Sequence, residues 1–141
     1  MSRLTIVGAG RVGKTLGNLI VANRVVDMGQ IYDRDIACAH AAVAFVGAGR
    51  AVDDLDRVEP ADIWLLSVPD TRLRDVADQL ARRFGHDAQS IVVHCSGALG
   101  SDVLAPLRAI SWAAASAHPV LSFSDPGTGL GPRRWQMDQD I

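Results

Sequence analysis

Glycine recurs at positions 8, 10, 13 and 17 in TIVGAGRVGKTLG, residues 5–17, after a short apolar run and at the start of a helix-like one. Within it, G-A-G-R-V-G satisfies the pattern G-x-G-x-x-G, and each glycine meets a separate need. Gly8 permits a tight turn out of a strand. Gly10 lets a diphosphate approach bare main chain, and Gly13 lets the helix pack close to the sheet. Gly17, one turn later, extends that close-packed face. A helix beginning near Arg11 points its free N–H groups and positive dipole end at an anion, with Ala9 and Val12 completing the turn. Asp33 ends the next apolar run, QIYD, 20 residues beyond Gly13. A carboxylate placed there accepts hydrogen bonds from the hydroxyls of an adenosine ribose. A purely structural glycine turn is the alternative; the strand, helix and carboxylate around this one favour a dinucleotide. Asp33 repels a ribose 2′-phosphate, which favours NAD. Arg34 beside it is either a solvated surface arginine or a partner for that phosphate, which would admit NADP. The balance leans to NAD.

Ligands in open α/β sheets lie beyond the carboxyl ends of the strands, so the residues after each apolar run carry the remaining chemistry. After the fourth run comes SVPD, residues 67–70. Here Val68 and Pro69 either lie along the cofactor ribose or end the strand ahead of an Asp70 helix cap. After the fifth comes HCSG, residues 94–97, where Ser96 offers a hydroxyl. After the sixth comes AHPV, with His118 held by Pro119. A hydride acceptor needs its developing oxyanion or amine protonated, and histidine does this near neutral pH. Ser96 and His118 are therefore the candidate catalytic residues. His94 is either part of this edge or a satisfied core histidine, and His118 has the alternative of capping the sheet. His40 and His86 read as surface residues. No metal-ligand constellation, GKS/T phosphate loop or G-x-S-x-G turn is present. Thirteen of the fourteen basic residues are arginine, so lysine chemistry could come only from Lys14.

Alternating strands and helices must position these residues. Apolar runs at 4–7, 30–32, 50–52, 63–68, 90–94 and 113–117 read as strands. Several are apolar on consecutive residues, the pattern of a strand covered on both faces. Between them, residues 71–84 carry apolar side chains at i, i+3, i+4, i+7, i+8 and i+11, a helical stripe ending at Gly85. Other helices are expected from about residue 11, over 35–46 with Gly47 as a stop, and over 101–109, where Pro106 shortens or kinks the segment. This order implies βαβ units and an α/β, doubly wound, mostly parallel sheet of about six strands. Residues 1–123 are expected to form the dinucleotide-binding domain. SDPGTGLGPRRWQMDQDI has no periodicity, and from residue 124 it is expected to be a mobile tail.

Composition narrows the function classes. A chain of 141 residues with 48% hydrophobic and 21% charged content suits one globular domain. Its formal charge of −2 argues against a nucleic-acid partner. No apolar run reaches the roughly 20 residues needed to span a bilayer, so no membrane partner is expected. Cys38 and Cys95 have no metal or redox spacing and read as reduced, small buried hydrophobes, which points to the cytoplasm.

GAGRVGKTLG, ADIWLLSVPD, IVVHCSGALGSDVLAPL and ASAHPVLSF together resemble the N-terminal domain of Rossmann-like proteins paired with a C-terminal domain called DUF2520. That family is related to pyrroline-5-carboxylate reductase and to the 6-phosphogluconate and β-hydroxyacid dehydrogenases. The likeness covers roughly residues 3–126. It implies a nicotinamide-dependent oxidoreductase acting on a small-molecule substrate buried against a C-terminal helical domain. That domain is not expected within the sequence at hand, which continues instead into the Gly/Pro/Arg segment. Related enzymes usually dimerise through the helical domain, so a homodimer is implied, weakened here. The β-hydroxyacid dehydrogenases use a lysine from the helical side, and Lys14 cannot replace it beside the expected pyrophosphate. A non-catalytic dinucleotide-binding or sensing module is the alternative.

Overall fold

A computed structural model describes residues 2–23, 26–85, 90–95, 101–119 and 135–139. The first apolar run becomes β1 (Arg3–Val7), whose last four residues are all buried. Alternation along it divides the core: Leu4 and Ile6 join one hydrophobic cluster, Val7 the other. The remaining parallel strands are β2 (Asp27–Tyr32), β3 (Arg50–Val52), β4 (Ile63–Leu66), β5 (Ile91–His94) and β6 (Ala113–Pro119). They stand in the order β3-β2-β1-β4-β5-β6 and pair in parallel throughout. This is the expected doubly wound α/β sheet.

Helices cover both faces. On one side lie α1 (Arg11–Ala22) and α2 (Ile36–Val46), contributing Leu16, Ala42 and Val46 to the cluster around Leu4, Ile6, Ile31 and Leu65. On the other lies α3 (Asp70–Phe84), whose stripe Leu73, Val76, Ala77, Leu80 and Phe84 is buried as its periodicity requires. Each large apolar side chain fully buried there contributes about 1.5–3 kcal/mol. Trp64 of β4 anchors this face, with ring centroids 5.3 Å from Phe84 and 5.6 Å from Trp112. Its indole N–H donates to the Ala61 carbonyl at 3.2 Å. Pro106 confines α4 to Ala105–Arg108, with residues Ser101–Leu104 before it wound as a 3-10 turn.

Helix ends follow local chemistry, with two departures from expectation. The Asp35 carboxylate accepts from the Ala37 N–H at 3.0 Å and caps α2, which stops at Gly47 in a left-handed conformation with φ 87°. At α3 the cap is Pro69, and Asp70 is the first helical residue, making no capping bond. The proline ring presets the helix entry one residue earlier, and Asp70 serves the helix dipole by charge alone. Cys38 is exposed rather than buried, because the buried stripe of α2 runs through Ala39, Ala42 and Val46 and leaves position 38 outside it.

The far end adds an element with no counterpart in the sequence pattern. Within the segment expected to be a mobile tail, β7 (Trp135–Gln139) pairs antiparallel with β6, His118 standing opposite Gln136. It supplies main-chain partners along the β6 edge, which would otherwise be open to pairing with other chains. Residues 124–134 lie outside the described residues.

Candidate functional site

The strand order reverses between the parallel neighbours β1 and β4, and a crevice opens beyond their carboxyl ends, as doubly wound sheets require. Three loops meet there: residues 8–10 after β1, 33–34 after β2 and 67–69 after β4. With Tyr32 and Arg72 they line a cavity of about 330 Å³, within the range of small-ligand sites.

The turn is built so that side chains have no room on its inner side and none is present on its outer side. Gly8 adopts φ +106°, and a Cβ on it would stand 2.8 Å from the main-chain carbonyl carbon and oxygen of Ser67. A Cβ on Gly13 would stand 2.5 Å from both the Gly8 carbonyl oxygen and Ser67 Oγ. Ser67 ties the two loops together: its hydroxyl donates to the Gly8 carbonyl at 2.8 Å, and its N–H to the Val7 carbonyl at 2.8 Å. Gly10 is the opposite case. It is exposed, precedes α1 as its N-cap, and no heavy atom lies within 4 Å of where its Cβ would be. No side chain caps the helix at this end, and its first turn contains no acidic residue. The initial N–H groups of α1 are therefore available to a ligand anion. A cradle of this shape and charge fits the diphosphate of a dinucleotide.

Asp33 is half-buried, and both of its carboxylate oxygens accept main-chain bonds. Oδ2 accepts from the Ala9 N–H at 3.1 Å and Oδ1 from the Asp35 N–H at 2.9 Å. It braces the glycine turn against the end of β2. Lone pairs remain on each oxygen for a ribose hydroxyl. Arg34 is exposed at the rim and Arg72 half-buried on the first turn of α3. Burial pushes the Tyr32 hydroxyl above its ordinary range. The Arg72 guanidinium beside it opposes that rise, while the charges of Asp33 and Asp54 add to it.

The structure thus gathers Gly8, Ala9, Gly10, Asp33, Arg34, Val68 and Pro69 around one cavity. Arg11, Val12 and Gly13 form the adjoining turn of α1, with Arg11 exposed, Val12 packed partly into the core and Gly13 buried. Ser96 lies outside the described residues. His118 sits near the end of β6, and its side chain is outside the description as well. His94 is fully buried at the end of β5, the core alternative of the two readings.

Sequence reasoning passed over Tyr32, Ser67 and Arg72. Ser67 and Tyr32 each adjoin a residue that was singled out. Arg72 offered only its place one turn beyond a strand end.

Cys95, directly after β5, packs against the α1–α2 face of the core, and burial pushes its thiol up to about 12. A raised pKa keeps the thiol protonated through the neutral range, and only the thiolate is a good nucleophile. Iodoacetamide at pH 8 is expected to spare Cys95 in the native chain and to modify it after denaturation. Peptide mapping that finds Cys95 alkylated first, ahead of the exposed Cys38, would contradict this burial.

A family model for the Rossmann-like domain matches residues 2–119. No curated protein matches the chain. Among solved structures, a candidate NADP oxidoreductase from Bacteroides fragilis superposes with a TM-score of 0.81 at 16% identity, covering 99% of this chain and 52% of that one. A pyrroline-5-carboxylate reductase from Coxiella burnetii gives a TM-score of 0.72 at 16% identity, covering 87% of this chain and 46% of that one. Prephenate dehydrogenase from A. aeolicus, in complex with hydroxyphenyl propionate and NAD+, gives 0.65 at 21% identity, covering 85% of this chain and 42% of that one. At these identities the likeness shows the fold. The chain spans about half the length of these structures.

Proposed function

The chain belongs to the Rossmann-like domain family, and from that premise we propose that it is the cofactor-binding half of an NAD(P)-dependent oxidoreductase. The observation that supports this most is the uncapped start of α1 at Gly10, open to the crevice and free of acidic side chains. Dehydrogenases and reductases among its structural neighbours support the same class. The bound nicotinamide would supply or accept the hydride. Gly8, Ala9, Gly10 and Gly13 shape the cradle, and the N–H groups of Arg11 and Val12 at the start of α1 hold the diphosphate. Asp33 braces the turn and faces the adenosine ribose. Val68 and Pro69 form the wall beside the middle of the cofactor.

Ser96 and His118 are proposed to orient and protonate the substrate at the nicotinamide end, on the strength of their place after β5 and near the end of β6. No helix among the described residues is long and apolar enough to cross a membrane. A small-molecule substrate is the proposed partner, with a homodimer as the assembly.

Fluorescence titration of the chain with NADH and NADPH tests the binding reading. Binding of at least one in the micromolar range is expected, and binding of neither contradicts it. A non-catalytic dinucleotide-binding or sensing module is the second reading, because the glycine turn and its cavity serve binding whether or not chemistry follows. Ser96→Ala and His118→Ala separate the two. In an oxidoreductase assembled from this chain each abolishes turnover and leaves cofactor affinity intact; a sensor's response survives both.

A further inference from the structure

A second cavity, of about 490 Å³, lies at the opposite rim of the sheet, where β1, β2 and β3 begin. Its size is again that of a small-ligand site. Arg3, Asp27 and Arg50 are the first residues of those strands, so the parallel pairing gathers them at one edge. Glu59, in the connection from β3 to β4, lies between the two guanidiniums, 3.9 Å from Arg3 Nη1 and 3.6 Å from Arg50 Nη2. Both separations exceed hydrogen-bond length, so Glu59 leaves donors on each guanidinium for a further acceptor. Asp27 is exposed and makes no ion pair among the described residues.

Gln30 completes the polar lining. The β1–β2 pairing slips here: Met28 stands opposite Leu4, but Ile31 stands opposite Ile6. The extra residue is a bulge, which re-aims side chains locally. Met28 and Ile31 both reach the α1–α2 face of the core, and alternation sends Gln30 to the other face. There it is only 4% exposed. Its Oε1 accepts from the Glu59 N–H at 2.8 Å, and that bond fixes the orientation of the amide. Nε2 is left with no partner among the described residues. A buried donor without an acceptor is costly to keep, and a ligand oxygen would relieve that cost.

We propose that this rim holds a second small-molecule site, separate from the dinucleotide crevice, for a zwitterion of the amino-acid class. The ligand carboxylate accepts from Gln30 Nε2 and from the Arg3 and Arg50 guanidiniums, whose planar donors meet carboxylate oxygens in pairs. The ligand ammonium faces the carboxylates of Asp27 and Glu59. Two arginines and two acidic residues leave the lining formally neutral, which suits a ligand carrying both charges better than a plain anion. Met28 and Ala48 supply an apolar stretch of wall for a short aliphatic side chain. The inference does not rest on the oxidoreductase reading.

The test is amide NMR of the isotope-labelled intact chain, titrated separately with four probes. They are L-leucine, isocaproate (no ammonium), isoamylamine (no carboxylate) and inorganic phosphate. L-leucine is expected to bind saturably, in the millimolar range or tighter. It should move the Gln30 side-chain amide and the main-chain amides of Asp27, Gln30, Arg50 and Glu59, and leave those of Gly8 to Gly13 in place. Each other probe should bind at least about tenfold more weakly, the scale of one charge-assisted contact. Arg50→Gln and Asp27→Asn should each lower L-leucine affinity by about tenfold, and Asp27→Asn should change isocaproate affinity by about twofold or less. Gln30→Met should abolish L-leucine binding; the two exposed positions cover the case in which that variant does not fold.

No saturable shift at the rim overturns the site, whatever NADPH does at the crevice. Isocaproate or phosphate binding as tightly as L-leucine overturns the zwitterion assignment. Shifts centred on Gly8 to Gly13 overturn the site as well, since they put the probe in the crevice. So does full L-leucine affinity in both Arg50→Gln and Asp27→Asn.

Discussion

Gly10→Asp is expected to stabilise the free protein and to abolish dinucleotide binding. Gly10 has φ −80° and ψ −171°, an extended conformation open to any L-residue and usual at a helix N-cap. Nothing stands within 4 Å of its Cβ position, so the new side chain meets no steric opposition. Aspartate there would accept from the first N–H groups of α1 and face the positive end of the helix dipole. The expected gain is about 0.5–1 kcal/mol. The same carboxylate would occupy the diphosphate's place with like charge. Cofactor affinity should fall by about a hundredfold or more, or roughly 2.8 kcal/mol at about 1.4 kcal/mol per decade. Thermal melts and fluorescence titrations on one preparation check both halves. An unchanged affinity would mean that the start of α1 holds no anion.

Gly13→Ala should act in the opposite sense, on the fold before the ligand. Helix propensity alone favours alanine over glycine by about 1 kcal/mol. Packing opposes it. The added methyl would stand 2.5 Å from the Gly8 carbonyl oxygen and from Ser67 Oγ, and neither can yield without breaking the Ser67–Gly8 hydrogen bond. A net loss of about 2 kcal/mol is expected, read as a lower urea midpoint with an unchanged slope. Cofactor binding should weaken with it, because the Gly8 carbonyl and the turn move together. A variant more stable than the parent would show that α1 does not approach the sheet as closely as described. Gly17 makes a milder contrast. Its Cβ would meet side-chain ends of Ile6 and Val46 at 2.8 Å, which have more freedom to shift.

These two glycines, three residues apart, also mark how far the sequence could be read. The pattern G-x-G-x-x-G assigns Gly10 and Gly13 their separate tasks, because the physical reasons for each glycine are local. Strands β1, β4 and β5 were equally legible, since a strand covered on both faces is apolar on consecutive residues, as at Ile63–Leu66, whereas β3 is only Arg50–Val52, β6 is mostly alanine and serine, and β2 begins at Asp27, ahead of the apolar run. The stripe of α3 was legible for the same reason. Tertiary context decided the remainder. β7 carries no periodic signal, because it is an edge strand whose existence depends on β6 beside it. The capping role moved from Asp70 to Pro69 because the proline sets the entry to α3. Cys38 was misplaced by its residue type, although the position of the buried stripe in α2 decides its exposure. Asp33 was recognised as a site residue, but its two main-chain bonds appear only once β2 and the glycine turn are brought together. Arg72 lies 39 residues beyond Asp33 and joins it at one cavity only because β4 stands on the other side of β1.

Amide NMR of the isotope-labelled chain, titrated with NADPH beside the Gly10→Asp variant, tests the central claim most directly. The account predicts that the largest shifts fall on the amides of Gly8 to Gly13, with smaller ones at Asp33, Arg34 and residues 67–69, and that the variant shows none of them. Saturable shifts that leave the Gly8 to Gly13 amides unmoved, or the absence of any shift at all, would contradict it.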